Sequence, residues 1–475
     1  MYQEISRLDR TLRPYQQEAK KNIFSAWDEC DSVMFQMPTG TGKTRLFTSL
    51  ISDIKAWSIL SEIDAKILIV AHRIELIEQI SENLDKYGIT HGIIAGGKTR
   101  DLTKPIQVAS IQTITHHTNR EVIQDINVSF VIIDEAHHSM ANSYKSLWNM
   151  FPNAKRLGVT ATPWRMNHSG FTDLYDRLIL SKPVQEFIAE GWLAPYDYYS
   201  ISENDALKTS IDLISEYDIE GDYKVSALEE VVDTAKIRAR LLQSYQTYVF
   251  GKKGIIYSIS RAHSNHICSE YRKAGINIVQ IDSETSRDTR RLYVKRFKEG
   301  SIDIIVNVDI FSEGFDCPDI EFIQLARPTK SLVKYLQQVG RGLRPTHGKN
   351  RCIILDNVGL HLEFGLPDTD RDWKTDFEGD PAYRIQRSSS NTVNTSTSGE
   401  KLGNFEEGSE KLCLIKGPTS TDDKWSADDD ELLMKLYTEK SCSLEILASV
   451  FKKPEEIISR RITVLDEHQS VTPND

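Results

Sequence analysis

Cysteine is sparse in this chain. Six cysteines, Cys30, Cys268, Cys317, Cys352, Cys413 and Cys442, are scattered over 475 residues, and none forms a Cys-x-x-Cys pair. That spacing argues against a zinc finger or a disulfide framework, so the thiols read as reduced and mostly buried. Long apolar runs are missing too: nothing approaches the roughly 20 residues that cross a bilayer. The first residues, Met1-Tyr2-Gln3-Glu4, are polar and lead into Arg7-Leu8-Asp9-Arg10, which is not the pattern of a secretory leader. The expected location is cytoplasmic, with no membrane partner. Positive charge is in deficit as well, with a net charge of −11 and a pI near 5.7. A globally basic nucleic-acid coat is therefore not expected. A local basic groove remains open, because phosphate contacts depend on where charge sits and not on its sum.

What is present begins with Phe35-Gln36-Met37-Pro38-Thr39-Gly40-Thr41-Gly42-Lys43-Thr44. An apolar segment with strand character runs into a Gly-rich turn ending in Gly-Lys-Thr, and a helical pattern follows. Such a loop cradles phosphates with successive backbone N–H groups, which bulky side chains would obstruct. Thr39, Gly40, Thr41 and Gly42 would form the cradle, Lys43 would reach the β- and γ-phosphates of ATP, and the Thr44 hydroxyl would hold Mg²⁺. Met37 stands where the strict G-x-x-x-x-G-K-T form has its first glycine. By itself the string also suits a Gly-rich turn before a surface helix.

A second motif narrows the choice. Val131-Ile132-Ile133-Asp134-Glu135-Ala136-His137 is a continuous apolar run ending in two acids. Such a run reads as a buried parallel strand with its carboxylates at the C-terminal edge, where open α/β sheets bind ligands. Asp134 would complete the Mg²⁺ shell and Glu135 would polarise the attacking water. A lone acid pair also caps helices, but with a phosphate loop upstream the catalytic assignment is the stronger one.

The fold class expected is α/β: two tandem parallel-sheet domains with a small C-terminal all-helical domain. Apolar strands alternate with amphipathic segments from Leu12 to Tyr196, at Ser32–Phe35, Lys66–Ala71, Ile106–Ser110, Phe130–Asp134 and Arg156–Thr160. This places a first domain at residues 1–198. A polar, helix-prone connector spans 199–250. A second α/β run covers 251–385, with strands at Gly254–Ile259, Ile276–Ile281, Ile302–Val308, Phe322–Leu325 and Cys352–Leu355. Residues 386–424 collapse in composition to Ser, Thr, Asn, Gly and acids, which suits a flexible linker. Residues 425–470 read as three short helices around Trp425, with Ser426 an N-cap and Pro454 a first-turn residue. This tri-helical segment resembles Myb/SANT or helix-turn-helix modules. Lys452, Lys453, Arg460 and Arg461 would face DNA in one reading; in the other the segment docks a protein partner.

Further motifs fit the same machine. Leu12-Arg13-Pro14-Tyr15-Gln16 precedes the phosphate loop, and Arg13 and Gln16 are nucleotide-binding candidates; the Gln16 amide carries both the donor and the acceptor that an adenine edge requires. Thr160-Ala161-Thr162-Pro163 follows the strand after the acid pair. Ser312-Glu313-Gly314-Phe315-Asp316-Cys317-Pro318 follows a strand of the second domain. Gln337-Gln338-Val339-Gly340-Arg341-Gly342-Leu343-Arg344 sets two arginines three apart on one helical face. Arginine pairs bidentately with phosphate oxygens, and arginines from one domain meeting a nucleotide held by another contribute on the order of 10³–10⁵ in rate.

With these residues in order from Leu12 to Asp356, the chain resembles a superfamily 2 helicase or translocase, which implies that the two parallel-sheet domains are RecA-like. Asp134–His137 matches the DEAH form of motif II. Glu313-Gly314-Phe315-Asp316, Gly340–Pro345, Asp356–Gly359 and Gly365-Leu366-Pro367 are similar to type III restriction-subunit and RadD-like repair helicases. The cysteine cluster usual after the second domain in the RadD-like pattern is absent. The resemblance implies that Lys43, Thr44 and Asp134 bind Mg²⁺-ATP, and that Glu135 is the catalytic base. Gln337, Arg341 and Arg344 would sense the γ-phosphate. Gly314 and Asp316 would lie near the ribose. His137, Thr160 and Thr162 would link hydrolysis to closure. Arg73, Ser110, Gln112, Thr113, Ser258 and Ser260 would lie along a strand-binding face, making mostly phosphate and sugar contacts with little sequence preference. For the hydroxyl residues, ordinary strand-end capping is the competing assignment. Thr-Ala-Thr and the DEAH motif differ from the DEAD-box RNA helicase pattern and tilt the expected partner to DNA, single-stranded or forked.

Three functions follow as expectations: an ATP-dependent DNA helicase or translocase, the motor subunit of a restriction or phage-defence complex, or a DNA-stimulated ATPase that remodels complexes without unwinding. An RNA substrate is a further option.

Overall fold

The computed structural model describes residues 9–98, 100–116, 126–138, 141–308, 317–346, 348–379, 412–415, 432–439 and 442–451, together with Ile5, Ile123, Ile458 and Ile462. The N-terminal half builds one sheet from β1 (Ser32–Gln36), β2 (Ile67–Ala71), β3 (Gly92–Ile94), β4 (Ile106–Ser110), β5 (Phe130–Asp134), β6 (Lys155–Thr160) and β7 (Arg177–Leu180). Their order is β3-β4-β2-β5-β6-β1-β7, and every pairing is parallel.

The sequence explains the architecture. β1, β2 and β5 are buried at every position, as a parallel strand covered on both faces must be. Alternate residues point to opposite faces of a strand. Accordingly Val33, Phe35, Ile67, Ile69 and Ile132 join one core with the helices Pro14–Glu29 and Lys43–Leu60. Met34, Leu68, Val70, Val131 and Ile133 join a second core with Leu147, Trp148 and Tyr175.

The second sheet contains β8 (Tyr196–Ser200), β9 (Gly254–Tyr257), β10 (Ile278–Ile281), β11 (Ile304–Asn307), β12 (Phe322–Leu325), β13 (Cys352–Asp356) and β14 (Cys413–Ile415). Its order is β10-β11-β9-β12-β13-β8-β14, parallel except for β14. The domain boundary expected at residue 198 falls inside β8, which pairs with β13. Tyr198 and Ser200 of β8 donate hydrogen bonds to the buried Asp356 carboxylate at 3.0 and 2.9 Å, so this strand belongs to the second sheet. Residues 413–415, expected within the linker, add an edge strand to β8. Apart from 412–415, residues 386–424 lie outside the described residues, as do Trp425, Ser426, Lys452, Lys453, Pro454, Arg460 and Arg461. The described C-terminal pieces include the helix Leu444–Phe451, and Leu433, Leu447, Ile458 and Ile462 are buried together.

The two halves touch at several places. After β13 the chain returns to the first half: Phe377 stacks on Phe171 with ring centroids 6.4 Å apart, and the Phe171 N–H donates to the Phe377 carbonyl at 2.7 Å. Arg371 holds this return segment together by donating to the carbonyls of Phe364, Leu366 and Thr369. On the opposite flank Arg290 pairs with Glu75 at 3.1 Å. Among the described residues, no helix is long and apolar enough to cross a membrane.

Candidate nucleotide and nucleic-acid site

The Gly-rich turn follows β1 directly and ends where the helix Lys43–Leu60 begins, with Gly42 as N-cap. Gly40 and Gly42 sit at φ of +91° and +92°, where a side chain is strained and glycine is not. Space is also short: a Cβ on residue 42 would stand 2.5 Å from Gln16 Nε2. Thr41 Oγ1 donates to the Pro38 carbonyl at 2.7 Å, and Lys43 Nζ reaches back to the Met37 carbonyl at 3.5 Å. Thr44 lies in the first turn of the helix, where orphan N–H groups and the helix dipole favour an anion.

The structure places Gln16 differently from the expectation. Its Nε2 donates to the carbonyls of Thr41 and Gly42 at 3.1 and 3.2 Å, while Oε1 accepts from the Arg13 N–H at 3.0 Å. Donor and acceptor are both engaged by the protein, so in this conformation Gln16 braces the phosphate loop and does not present an adenine-reading edge. Tyr15, given no role from the sequence, does the same through its hydroxyl, which donates to the Thr41 carbonyl at 2.8 Å. Burial raises the Tyr15 pKa, which keeps this donor protonated. Arg13 is the N-cap residue of the helix Pro14–Glu29, which carries Tyr15 and Gln16, and lies over the Trp192 ring at 4.9 Å.

Asp134 closes β5 and pairs in register with Val159 of β6, while Thr160 of β6 pairs with Gln36 of β1. The phosphate loop, the acid pair and Thr-Ala-Thr therefore share one sheet edge. Asp134 Oδ1 accepts from the Glu135 N–H at 3.0 Å. Glu135 has φ of +50°, a left-handed conformation that costs a non-glycine residue on the order of 1 kcal/mol or more. His137 Nδ1 lies 2.9 Å from Thr160 Oγ1 and 3.4 Å from Glu135 Oε2. Glu135 Oε2, Thr39 Oγ1 and Thr162 Oγ1 are buried without a hydrogen-bond partner among the described residues. Buried polar atoms are nearly always satisfied in a working protein. Three such atoms, beside a loop that only glycine can form, fit a polar ligand such as a nucleoside triphosphate with its Mg²⁺.

The second half contributes the helix Leu332–Gly342, on which Gln337 and Arg341 are buried. A Cβ on Gly340 would lie 2.7 Å from Thr39 Cβ, and a Cβ on Gly40 would lie 3.2 Å from Arg344 Cγ. The arginine-bearing helix thus abuts the phosphate loop. A cavity of about 220 Å³ adjoins this contact, lined in part by Pro38, Thr39, Leu193, Val339 and Trp373. Gly314 and Asp316 lie outside the described residues.

Of the strand-contact candidates, four gather on the first half. Arg73 follows β2 and caps the helix Ile74–Lys86. Ser110 ends β4 beside Ala71, caps the helix Ile111–Thr115 by accepting from the Thr113 N–H, and donates to Gln112 Oε1 at 2.6 Å. Gln112 is exposed and its Nε2 donates to the His72 carbonyl at 2.9 Å. The two serines of the second half differ. Ser258, expected on this face, is buried; its hydroxyl is 2.6 Å from Ser264 Oγ and reaches the Asn307 carbonyl, so it is a packing residue. Ser260 caps the helix Arg261–Lys273 and donates to Glu229. One grouping had no signal in the sequence: the His138 ring packs against both His72 and His137, at 4.0 and 4.2 Å between centroids and tilted 43° to each.

The comparisons with known proteins agree with this geometry. The family described as "Type III restriction enzyme, res subunit" matches residues 9–165, and "Helicase conserved C-terminal domain" matches residues 236–346. A 51.5 kDa protein of a Lactococcus phage (isolate 7-9) is 36% identical over 346 residues, covering 73% of this chain and 70% of that protein. IRC3 of Saccharomyces cerevisiae, described as a candidate ATP-dependent helicase, is 29% identical over 73% of this chain, which spans about half of the yeast protein's length (51%). Among solved structures, a fragment of a candidate HsdR subunit of a type I restriction enzyme from Vibrio vulnificus YJ016 shares the fold. Its TM-score is 0.60 at 23% identity, over 80% of this chain and 69% of that one.

Proposed function

Because the chain belongs to the superfamily 2 helicases, in the branch of the type III restriction subunits, we propose that it is an ATP-dependent motor that moves along or unwinds DNA. The observation that carries this reading is the contact between Gly340 and Thr39, which brings the arginine-bearing helix of one half onto the phosphate loop of the other.

In this reading the loop from Thr39 to Thr44 binds the phosphates of ATP, and Lys43 offsets their charge. Thr44 and Asp134 would hold Mg²⁺, which when bound supplies positive charge against the phosphate oxygens. Glu135 orients water for attack. Gln337, Arg341 and Arg344 stabilise charge on the γ-phosphate from the other side of the cleft. Hydrolysis then loosens the contact between the halves, and alternation between tight and loose states advances the protein on its strand. Arg73, Ser110, Gln112 and Thr113 contact the strand's phosphates and sugars. The DEAH motif and Thr-Ala-Thr favour DNA over RNA.

The family description supports a second reading, a motor subunit of a restriction or phage-defence assembly whose partner docks through the C-terminal segment. One experiment separates the readings: ATP hydrolysis by the purified chain, alone and with single-stranded DNA, forked DNA or RNA, beside Glu135→Gln. Stimulation by DNA that vanishes in the variant supports the motor. Stimulation by RNA alone overturns the DNA assignment. Absence of stimulation by any nucleic acid moves the reading to a subunit gated by its partner.

A further inference from the structure

We propose that His72 and His138 are positioning residues that couple strand contact to the aim of Glu135; this rests on the motor reading above. The observation is a continuous line of contacts between two sites. At one end, Ser110 donates to Gln112, and Gln112 donates to the His72 carbonyl at 2.9 Å. The His72 ring packs against His138, tilted 43° to it, at 4.0 Å between centroids, and His138 packs against His137 at the same tilt and 4.2 Å. At the other end, His137 Nδ1 lies 3.4 Å from Glu135 Oε2 and 2.9 Å from Thr160 Oγ1.

Two features make this line a coupling device and not merely packing. His137 and His138 sit on one tight turn, Ala136–His138, closed by a hydrogen bond from the His138 N–H to the Glu135 carbonyl at 3.0 Å. Pushing His138 therefore moves the backbone that carries the Glu135 side chain. Glu135 itself is held at φ of +50°. A residue in a sparsely populated conformation persists only while its surroundings hold it there, so a small displacement of the turn can re-aim its carboxylate. On the other side, Arg73 follows His72 directly and Gln112 is exposed. A strand phosphate drawn to Arg73 or Gln112 would shift the His72 backbone and, through the packed rings, the turn. Densely packed groups transmit such shifts because interiors have low compressibility.

The test measures three quantities for the full chain: ATP hydrolysis without DNA, the maximal rate with single-stranded DNA, and DNA affinity by fluorescence anisotropy. His138→Ala and His72→Ala should each lower the ratio of stimulated to basal rate about tenfold, with basal rate and DNA affinity within about twofold of the parent. The double variant should be no worse than either single one, because both cut the same line. His138→Phe keeps a flat ring and should recover most of the stimulation, whereas His138→Leu should not; a thermal melt identifies any variant that does not fold. Basal and stimulated rates falling in proportion, an unchanged ratio, or additive losses would each overturn the proposal. If the parent chain is stimulated and the variants match it, only this inference falls. If the parent chain is unstimulated, the motor reading falls and takes this inference with it.

Discussion

The backbone of Gly340 rests on the side chain of Thr39, so closely that a methyl group at 340 would stand 2.7 Å from Thr39 Cβ. Gly340→Ala should therefore force the arginine-bearing helix off the phosphate loop. The maximal ATPase rate should fall about tenfold or more, since sub-ångström misplacement of catalytic groups is expensive. Thr39→Gly in the same background removes the overlapping atoms and should restore part of the rate. Failure to recover would rule out the steric explanation.

Gln16 acts through the loop it braces. Gln16→Ala removes two hydrogen bonds to the carbonyls of Thr41 and Gly42, each worth about 0.5–1.5 kcal/mol. The expected result is a KM for ATP about tenfold higher, with GTP affected equally. A loss confined to ATP would show that Gln16 reads the adenine ring and that its observed partners are exchanged on binding.

Asp222 ties the connector to the arginine-bearing helix. Its buried carboxylate pairs with Lys334 at 2.9 Å and accepts from the Lys330 N–H and the Thr329 hydroxyl, both at 2.8 Å. Burial alone would raise its pKa, but Lys334 and these hydrogen bonds outweigh burial and hold it below the usual carboxylate value. A depressed folded pKa contributes stability that is complete above the unfolded pKa and is lost as pH falls through the folded one. Asp222→Asn should lower unfolding stability by about 2–3 kcal/mol at neutral pH. Urea melts check this, and the deficit should shrink only in strong acid.

His263 sets an earlier acid limit. It is a buried residue of the helix Arg261–Lys273, and desolvation pulls its pKa down to about 4 from the ordinary 6.5. The unfolded chain therefore binds a proton that the folded one refuses, and stability falls as pH drops from 6.5 towards 4. The loss should reach about 3 kcal/mol if the shift is fully expressed. His263→Leu should flatten the stability profile between pH 6.5 and 4.5 in thermal or urea melts. An unchanged slope would mean that other groups carry it.

The central strands were legible because their signal is local. Phe130–Asp134 was expected and observed with the same bounds, and Ser32–Phe35 was extended by one residue, Gln36. β3 and β7 were not expected. β3 has three residues, too few to show a period, and β7 is an edge strand with exposed ends. β8, with the sequence Tyr-Asp-Tyr-Tyr-Ser, adjoined the expected boundary, and its membership of the second sheet depends on pairing with β13, more than 150 residues away. Ser258 was misplaced for a similar reason: a hydroxyl at a strand end looks alike whether it faces a ligand or, as here, Ser264 and Asn307.

By itself the sequence marked the candidate groups of the site. A loop with glycines at 40 and 42, adjacent acids at 134 and 135, and arginines at 341 and 344 stand out as candidates by residue type and short spacing, which need no knowledge of partners. Tertiary structure alone decided who meets whom. Gln16 bonds to the phosphate loop, Gly340 presses on Thr39, and His138 packs against His72. These relationships join segments tens or hundreds of residues apart, and their distances follow from sheet order, register and the packing of one half against the other, which no local pattern encodes.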